Sequence, residues 1–449
     1  MSAISRRMLL TIVLALYLPA FGQSTSSPKP LAQMTASSRQ LIAIKVIGSK
    51  RFQEAAIAAA TGLQMGVPVT DDDFKKAARV LGDTGAFTDI AYSFSYSSAG
   101  TKLELHVTDA DKFVPVRFED FVWFSDAELR RRIKEHVPMF DGELPLSGRM
   151  PDEVSDVLQA MLVERAIPGH VDYLRAGKMD GPVDAIEYHV SEVLIRIRNI
   201  EFTGAGEAEL PALQAAARRL PDREYSRSRL TLLVQRQLLP VFYSRGYLKA
   251  TFGDPQPKIV KDPGVESEDG PRNQSVVDVA FAVNPGQQYR VKSLAWSGNH
   301  ELPTETLQKM VHLEPGQPAN SIRLGDDLKD LQTLYGSRGF LKASTKVGVQ
   351  FDDAAGTVAI VVEVKEDFAY HMGELEFRGL DNSLTAKLRA IWKLRQGDVY
   401  NAGYLGDYLP AAHKLLPTTL DWEVSPHVTA NVRDKTVDVD LIYSVKAPK

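Results

Sequence analysis

The sequence predicts an α+β protein built as a tandem array of about five small units, each with two helices on a three-stranded mixed sheet. Short motifs recur about 90 residues apart along the chain. Within each unit the hydrophobic periodicity changes in the order strand, helix, helix, strand, strand. The 449 residues are 44% hydrophobic and 24% charged, a composition typical of globular domains.

The clearest repeat pairs residues 244–250 with residues 337–343, where Ser-Arg-Gly-aromatic-Leu-Lys-Ala recurs. A second motif, an alternating strand that ends in glycine, occurs at 200–204, 294–298 and 375–379. A fixed period of this kind is the signature of a repeat architecture. It divides the chain into predicted units at 39–111, 112–193, 194–286, 287–366 and 367–449, of which the second is irregular.

The fourth unit shows every predicted element. Period-2 hydrophobics predict a strand at 289–296, and a short helix follows at 303–312. After a Gly/Pro turn comes a longer helix with Leu324, Leu328, Leu331 and Tyr335 on one face. Gly339 stands where a left-handed helix cap requires glycine. A hairpin of strands at 340–351 and 358–364 closes the unit.

The first unit repeats this order with a helix from Asp71 to Leu81 that stops at Gly85. The run of aspartates at 71–73 could bind a divalent cation, but carboxylates at a helix start also cap free N–H groups and offset the helix dipole. The helix cap is the favoured interpretation. In the second unit, Trp123 replaces the turn glycine and residues 166–169 replace the Arg-Gly-aromatic motif.

The N-terminus predicts export. Arg6 and Arg7 precede an apolar stretch at 8–18, followed by Pro19 and small residues, which predicts a cleaved signal peptide at 1–22. An uncleaved membrane anchor is the alternative. Residues 23–38 are polar and rich in Ser and Pro, and they predict a disordered linker.

Composition excludes several classes of site. The chain has no cysteine, which excludes disulfides, thiolate metal sites and a cysteine nucleophile. The net charge of −4 argues against nucleic acid as a partner. The nine histidines form no metal-ligand spacing. We therefore expect no catalytic residue, no cofactor and no metal.

The β-α-α-β-β order, the glycine after the first strand and the Arg-Gly-aromatic motif after the second helix resemble the POTRA domain. The exported five-unit array is similar to the periplasmic part of the BamA family of outer-membrane protein assembly factors, without the C-terminal β-barrel of that family. The resemblance implies a periplasmic location at the inner face of the outer membrane. It also implies that the partners are unfolded outer-membrane proteins or accessory assembly subunits, with the barrel either separate or missing from this chain.

The strand order suggests where a partner would bind. Short connections place the third strand of each unit in the centre, so the second strand becomes a sheet edge whose unpaired backbone groups can accept an incoming strand. The candidate edges are 90–96, 247–252 and 341–349. The predicted partner-binding residues are Ile90, Tyr92, Phe94, Tyr247, Leu248, Lys249, Phe252, Phe340, Leu341, Lys342, Val347 and Val349, with Arg245 and Arg338 as further possible contacts.

Other interpretations remain open at this point. Lysines such as Lys249, Lys342 and Lys346 also guard edges against pairing, so the edges could be merely protected. The array could be a scaffold that positions a partner without binding unfolded clients. It could also be an exported enzyme with a site assembled between units, although no nucleophile motif supports this.

Overall fold

The computed structural model describes residues 39–178, 180–220, 223–261 and 273–445. The predicted signal peptide and linker lie outside the described residues. The described chain forms two compact bodies. The first comprises the residues up to Arg117 with Asp126–Met161 and Val171–Tyr188, and the second comprises Phe118–Ser125, Leu162–His170 and the residues from His189 onward.

The first sheet confirms the predicted topology. Its strands lie in the order β1-β3-β2, with β1 parallel and β2 antiparallel to the central β3. Thr70 caps α2 through a capping box in which Asp73 accepts from Thr70 N, so one of the three aspartates takes part in the helix cap. The elements are β1 (Leu41–Ile47), α1 (Glu54–Ala60), α2 (Asp71–Asp83), β2 (Phe87–Ser97) and β3 (Gly100–Asp109).

The second sheet departs from the three-stranded pattern. It has four strands in the order β5-β4-β7-β6, because a short extra strand pairs with β4. Trp123 is buried, and Ala166 takes the left-handed conformation that glycine takes elsewhere, with a φ of 55°. The elements are β4 (Phe113–Phe118), α3 (Asp126–His136), β5 (Glu143–Pro145), α4 (Met150–Glu164), β6 (His170–Gly177) and β7 (Val183–Ser191).

The third sheet corrects one prediction. The strand predicted at 247–252 is reduced to the two residues of β9, and the edge strand is β10. Residues 247–250 instead form a turn in which Ala250 N donates to Tyr247 O. The elements are β8 (Leu194–Thr203), α5 (Leu210–Ala217), α6 (Arg227–Leu233), a π-helical turn (Val234–Leu238), α7 (Leu239–Tyr243), β9 (Thr251–Phe252), β10 (Gln256–Lys261) and β11 (Gln274–Asn284).

The fourth and fifth sheets return to the predicted order, β12-β14-β13 and β15-β17-β16, with the third strand central in each. The four residues predicted on one face of the long helix are all buried. The elements are β12 (Arg290–Ser297), α8 (Thr304–Met310), α9 (Ser321–Ser337), β13 (Ser344–Asp352), β14 (Thr357–Lys365), β15 (His371–Arg378), α10 (Asn382–Ile391), α11 (Tyr404–His413), β16 (Trp422–Asn431) and β17 (Thr436–Val445).

We call each sheet with its helices a module and number the modules in chain order. The third, fourth and fifth modules meet where the second helical segment of one module ends. In the fourth module Gly339 adopts a φ of 90°, and its carbonyl accepts a hydrogen bond of 2.8 Å from Tyr370 N at the start of the fifth module. Gly246 does the same for Tyr289, also at 2.8 Å. We call this contact the joint.

The joint leaves no space for a side chain on its glycine. A Cβ on Gly339 would lie 2.8 Å from Tyr370 O, and one on Gly246 would lie 2.6 Å from Tyr289 O. Each tyrosine carbonyl in turn accepts from the turn before the next module's second helix, at Ala319 N and Tyr400 N. Backbone hydrogen bonds therefore connect the helix-ending glycine of one module, through the tyrosine, to the turn before the second helix of the next module.

The leucine after this glycine completes the joint. Leu248 packs against the core of the fourth module, and Leu341 packs against the core of the fifth. The preceding aromatic stays with its own module, since Phe340 contacts Tyr335 with ring centroids 6.0 Å apart. The repeated Arg-Gly-aromatic-Leu motif thus connects modules as well as ending a helix.

In the fourth module, a buried carboxylate binds the backbone just after the C-terminal end of β12, the end away from the joint at Tyr289. Glu366, 7% exposed, accepts hydrogen bonds from His300 N, Glu301 N and Tyr335 Oη, the last at 2.6 Å. Burial pushes the pKa of Glu366 upward, but these hydrogen bonds outweigh burial and lower the pKa below its ordinary value. Asp109 accepts from Lys50 N and Arg51 N at the corresponding place in the first module.

We predict that Gly339→Ala destabilises the fifth module by more than Gly316→Ala destabilises the fourth. Both glycines have positive φ values, 90° and 84°, so each alanine costs about 1–2 kcal/mol in backbone conformation. Only Gly339 would also push a Cβ into the next module, because nothing lies within 4 Å of a Cβ on Gly316. Hydrogen exchange of the β17 and β14 amides measures the two losses. Equal losses of stability in the two variants would contradict the conclusion that Gly339 packs against the fifth module.

A second prediction concerns pH. Because the pKa of Glu366 is lower in the folded state, the carboxylate contributes stability that is complete above its unfolded pKa of about 4.3 and is lost as pH falls through the folded pKa. Glu366→Gln should therefore cost about 1–3 kcal/mol at neutral pH. The difference from the wild type should shrink in urea unfolding below about pH 4. If the difference in unfolding free energy between the wild type and Glu366→Gln stays constant with pH, the charged form of Glu366 does not stabilise the fold.

Candidate functional site

The second strand of a three-stranded module lies at a sheet edge, as the sequence predicted. This holds for β2, β13 and β16. Alternate residues of such a strand direct their N–H and C=O groups away from the sheet, where they can pair with another chain. The three edges differ strongly in what surrounds them.

One face of the β2 edge strand packs against the module's own helix. Ile90, Tyr92 and Phe94 are half-buried on the side that faces α2. The ring of Phe94 lies 5.3 Å from that of Phe74, and Tyr92 Oη donates a hydrogen bond of 3.1 Å to Asp71 Oδ1. Side chains on this face are therefore already used inside the module.

The β16 edge carries a guard. Pro426 lies within this strand, and proline has no N–H to offer a neighbouring strand. The strand is otherwise exposed on both faces along most of its length. Proline at an edge is one of the ways in which proteins prevent unwanted pairing.

The β13 edge lacks proline and leaves apolar side chains open. Val347, Val349 and Phe351 are 38%, 42% and 40% exposed. Their cross-strand partners on β14, Val362, Ile360 and Val358, are core residues, so the three exposed side chains lie on the helix side of the sheet. We call Val347, Val349 and Phe351 the apolar strip. It borders a row of backbone groups that no strand of the described residues pairs.

The joint between the third and fourth modules anchors one end of this strip. The ring of Phe351 packs against Tyr289 at 4.8 Å, and Lys249 Nζ lies 4.6 Å from the centre of the Phe351 ring. Lys249 and Tyr289 both donate to Asp353 in the adjacent hairpin turn, at 2.7 and 2.6 Å. These hydrogen bonds lower the pKa of Asp353 below its usual range, so the carboxylate stays charged.

Several residues predicted on edges belong to the joint instead. Tyr247, Leu248 and Lys249 precede β9, and Phe340, Leu341 and Lys342 precede β13. The reason is the same in both places, because the leucine must reach the core of the next module before the strand can begin. Phe252 lies on β9, where its ring packs edge-on against Phe242 at 5.8 Å.

The two motif arginines differ. Arg245 Nη1 donates to Glu209 Oε1 at 2.6 Å, and Glu209 is only 7% exposed, so Arg245 is engaged within its own module. Arg338 is exposed, and its backbone N donates to Tyr335 O where α9 ends. A partner contact by either arginine stays a prediction.

Sequence reasoning missed Phe351 as part of the candidate site. Its position is in the predicted strand, but only the pairing of Phe351 with Val358 and the joint beside it show that it extends the apolar strip. The alternation of Val347, Val349 and Phe351 was the available signal.

No group of three or more His, Cys, Asp or Glu side chains in the described ranges is arranged to hold a metal ion. No helix in the same ranges combines the length and apolar character needed to cross a membrane.

The fourth module is similar to a known protein family. A family model described as POTRA, surface antigen variable number repeat, matches residues 289–367. A putative outer membrane protein assembly factor from Treponema pallidum is 24% identical over 137 residues. That match spans 30% of this chain and only 16% of the relative's length.

Solved structures with similarity to this chain include POTRA domains 3–5 of BamA from Haemophilus influenzae. The identity is 20%, the coverage is 57% of this chain and 97% of that chain, and the TM-score is 0.38. POTRA domains 1–3 of Omp85 from Anabaena are 16% identical, cover 57% of this chain and 96% of that chain, and have a TM-score of 0.24.

We predict that the apolar strip is dispensable for folding. Val349→Thr should change the free energy of unfolding by less than about 0.5 kcal/mol, because the residue is 42% exposed and lies outside the core. Val362→Thr on the neighbouring strand should cost about 1–3 kcal/mol, because it buries a hydroxyl in the core. Urea unfolding of both variants makes the comparison. A similar loss for both would mean that the strip is a structural element.

Proposed function

We propose that this protein, which carries a POTRA domain at residues 289–367, is a non-catalytic periplasmic polypeptide-binding protein at the inner face of the outer membrane. It would act in outer-membrane protein assembly or translocation and bind unfolded outer-membrane proteins or accessory assembly subunits. The name of the Treponema pallidum relative supports the assembly role. The single observation that carries the binding role is the β13 edge, where unpaired backbone borders exposed apolar side chains.

Binding would occur by strand addition. An extended client segment would pair its backbone with β13, and alternate client side chains would contact the apolar strip. Main-chain hydrogen bonds supply much of the affinity in this mode and require little of the client sequence. Such a site suits clients that share a tendency to form β-strands, since an unfolded outer-membrane protein offers many alternating segments.

The joint favours a second candidate function, that of a scaffold. Its backbone hydrogen bonds at Gly246 and Gly339 hold consecutive modules in direct contact, which a positioning role requires. A scaffold would be sensitive to changes at the joint and insensitive to changes at the edge. A client-binding protein would respond to both, because the joint anchors one end of the apolar strip.

We predict that proline at one of two neighbouring positions, Val347 or Gly348, abolishes client binding without unfolding the fourth module. Successive residues of β13 direct their N–H groups alternately toward β14 and toward solvent. One proline should therefore disrupt the sheet, while the other removes only an outward N–H group. Circular dichroism identifies the folded variant, and the anisotropy of a labelled, urea-unfolded outer-membrane protein measures its binding.

The control is proline at Val428, on the β16 edge that already contains Pro426. We expect either Val428→Pro or Thr429→Pro to leave the fifth module folded, because only one of these two N–H groups pairs with β17. The folded variant should bind the client as the wild type does. Undiminished binding by the folded β13 variant would remove strand addition at this edge and favour the scaffold function.

A further inference from the structure

The outer face of the fourth sheet has a gap at its open edge. Gly348 lies in the middle of β13, directly opposite Val361 on β14, which in turn lies beside Ala295 on β12. Val361 is 39% exposed although it is on the central strand. We call Ala295, Val361 and Gly348 the glycine row.

The backbone does not require this glycine. Gly348 does not adopt a positive φ. A Cβ built on it would meet only Val361 O, at 3.6 Å, which is an ordinary van der Waals contact. Glycine inside a strand costs about 0.5–1 kcal/mol relative to alanine, and it often marks a place where a ligand or another chain approaches closely. A larger residue would fit, yet the position is open.

The repeats provide an internal comparison. Counting back from the glycine that ends each first strand, the same row is Lys45, Glu104 and Ser93 in the first module and Glu376, Asp440 and His427 in the fifth. Lys45 and Glu104 form an ion pair of 3.3 Å. The fold therefore accommodates charged side chains at this row, and an uncharged row with a gap at the edge is particular to the fourth of these three modules.

A positive charge lies next to the gap at Gly348 and indicates that a bound segment would carry a negative charge there. Lys346 precedes Gly348 by two residues, so both lie on the outer face. Lys346 is exposed and has no ion-pair partner among the described residues, although Glu363 is opposite it on β14. A carboxylate on a strand added beyond β13 would pair with this ammonium group.

Building on strand addition as the proposed function, we propose that β13 prefers client segments in which an aromatic residue and a carboxylate stand two positions apart. Neighbouring strands are about 4.8 Å apart, so an aromatic side chain beside Gly348 would lie across the glycine onto Val361. Aromatic side chains are known to cover glycines in neighbouring strands in this way. The carboxylate would meet Lys346, and the opposite face of the segment would cover the apolar strip.

The test uses the full-length protein and labelled ten-residue peptides of alternating threonine and valine. The reference peptide carries phenylalanine and glutamate at two successive threonine positions, and matched peptides carry alanine for phenylalanine or glutamine for glutamate. Anisotropy titration should show the phenylalanine peptide binding about three- to five-fold more tightly than the alanine peptide. Glutamate should improve binding about two-fold over glutamine, an advantage that salt and Lys346→Gln both remove.

Gly348→Val should abolish the aromatic preference, because its own branched side chain covers Val361. Gln350→Val is the matched control, since it adds the same side chain on the same face of the same strand but opposite Ala359. This control should retain the preference. Gly348→Ala should reduce the preference and serves if the valine variant does not fold, because its Cβ makes only an ordinary contact.

The outcomes separate this proposal from the proposed function. If the peptides bind with equal affinity and the β13 proline variant abolishes binding, strand addition stands and the preference is overturned. If Gly348→Val keeps the full preference for the phenylalanine peptide, the glycine row is not the cause of that preference and the proposal is overturned. If no peptide or unfolded client binds the wild type, both proposals fail.

Discussion

The contact on which the rest of this structure depends is the one between a helix-ending glycine and the tyrosine that opens the next module. Gly246 and Gly339 accept hydrogen bonds from Tyr289 and Tyr370, and both glycines adopt backbone conformations that residues with a Cβ rarely take. A small module buries limited apolar surface by itself. By contributing Leu248 and Leu341 to the core that follows, the third and fourth modules each extend into the next module.

This constraint also decides where a strand can begin. Residues 247–250 and 340–343 must turn so that Leu248 and Leu341 reach the next core, which delays the edge strand in the third and fourth modules. In the fourth module the same joint places Lys249 and Tyr289 around Phe351, at one end of the open edge. The candidate binding surface is therefore positioned by residues of the preceding module as well as its own.

The three-stranded modules share a topology, but their edge strands differ. The β2 edge packs against its helix, β16 carries a proline, and β13 exposes apolar side chains on one face and a glycine on the other. These differences arise from a few side chains on the same backbone pattern. The match of a POTRA model to residues 289–367 falls on the module with the most open edge.

By itself the sequence determined the module order, the two helices on each three-stranded sheet, the central third strand and the left-handed glycines at 246 and 339. These features follow from local periodicity, turn chemistry and short connections, which a repeated sequence displays several times over. Only the tertiary structure decided that Leu248 and Leu341 leave their own strands, that Arg245 is held by Glu209, and that β13 is the open edge. These outcomes depend on contacts between residues far apart in the chain, and periodicity carries no information about such contacts.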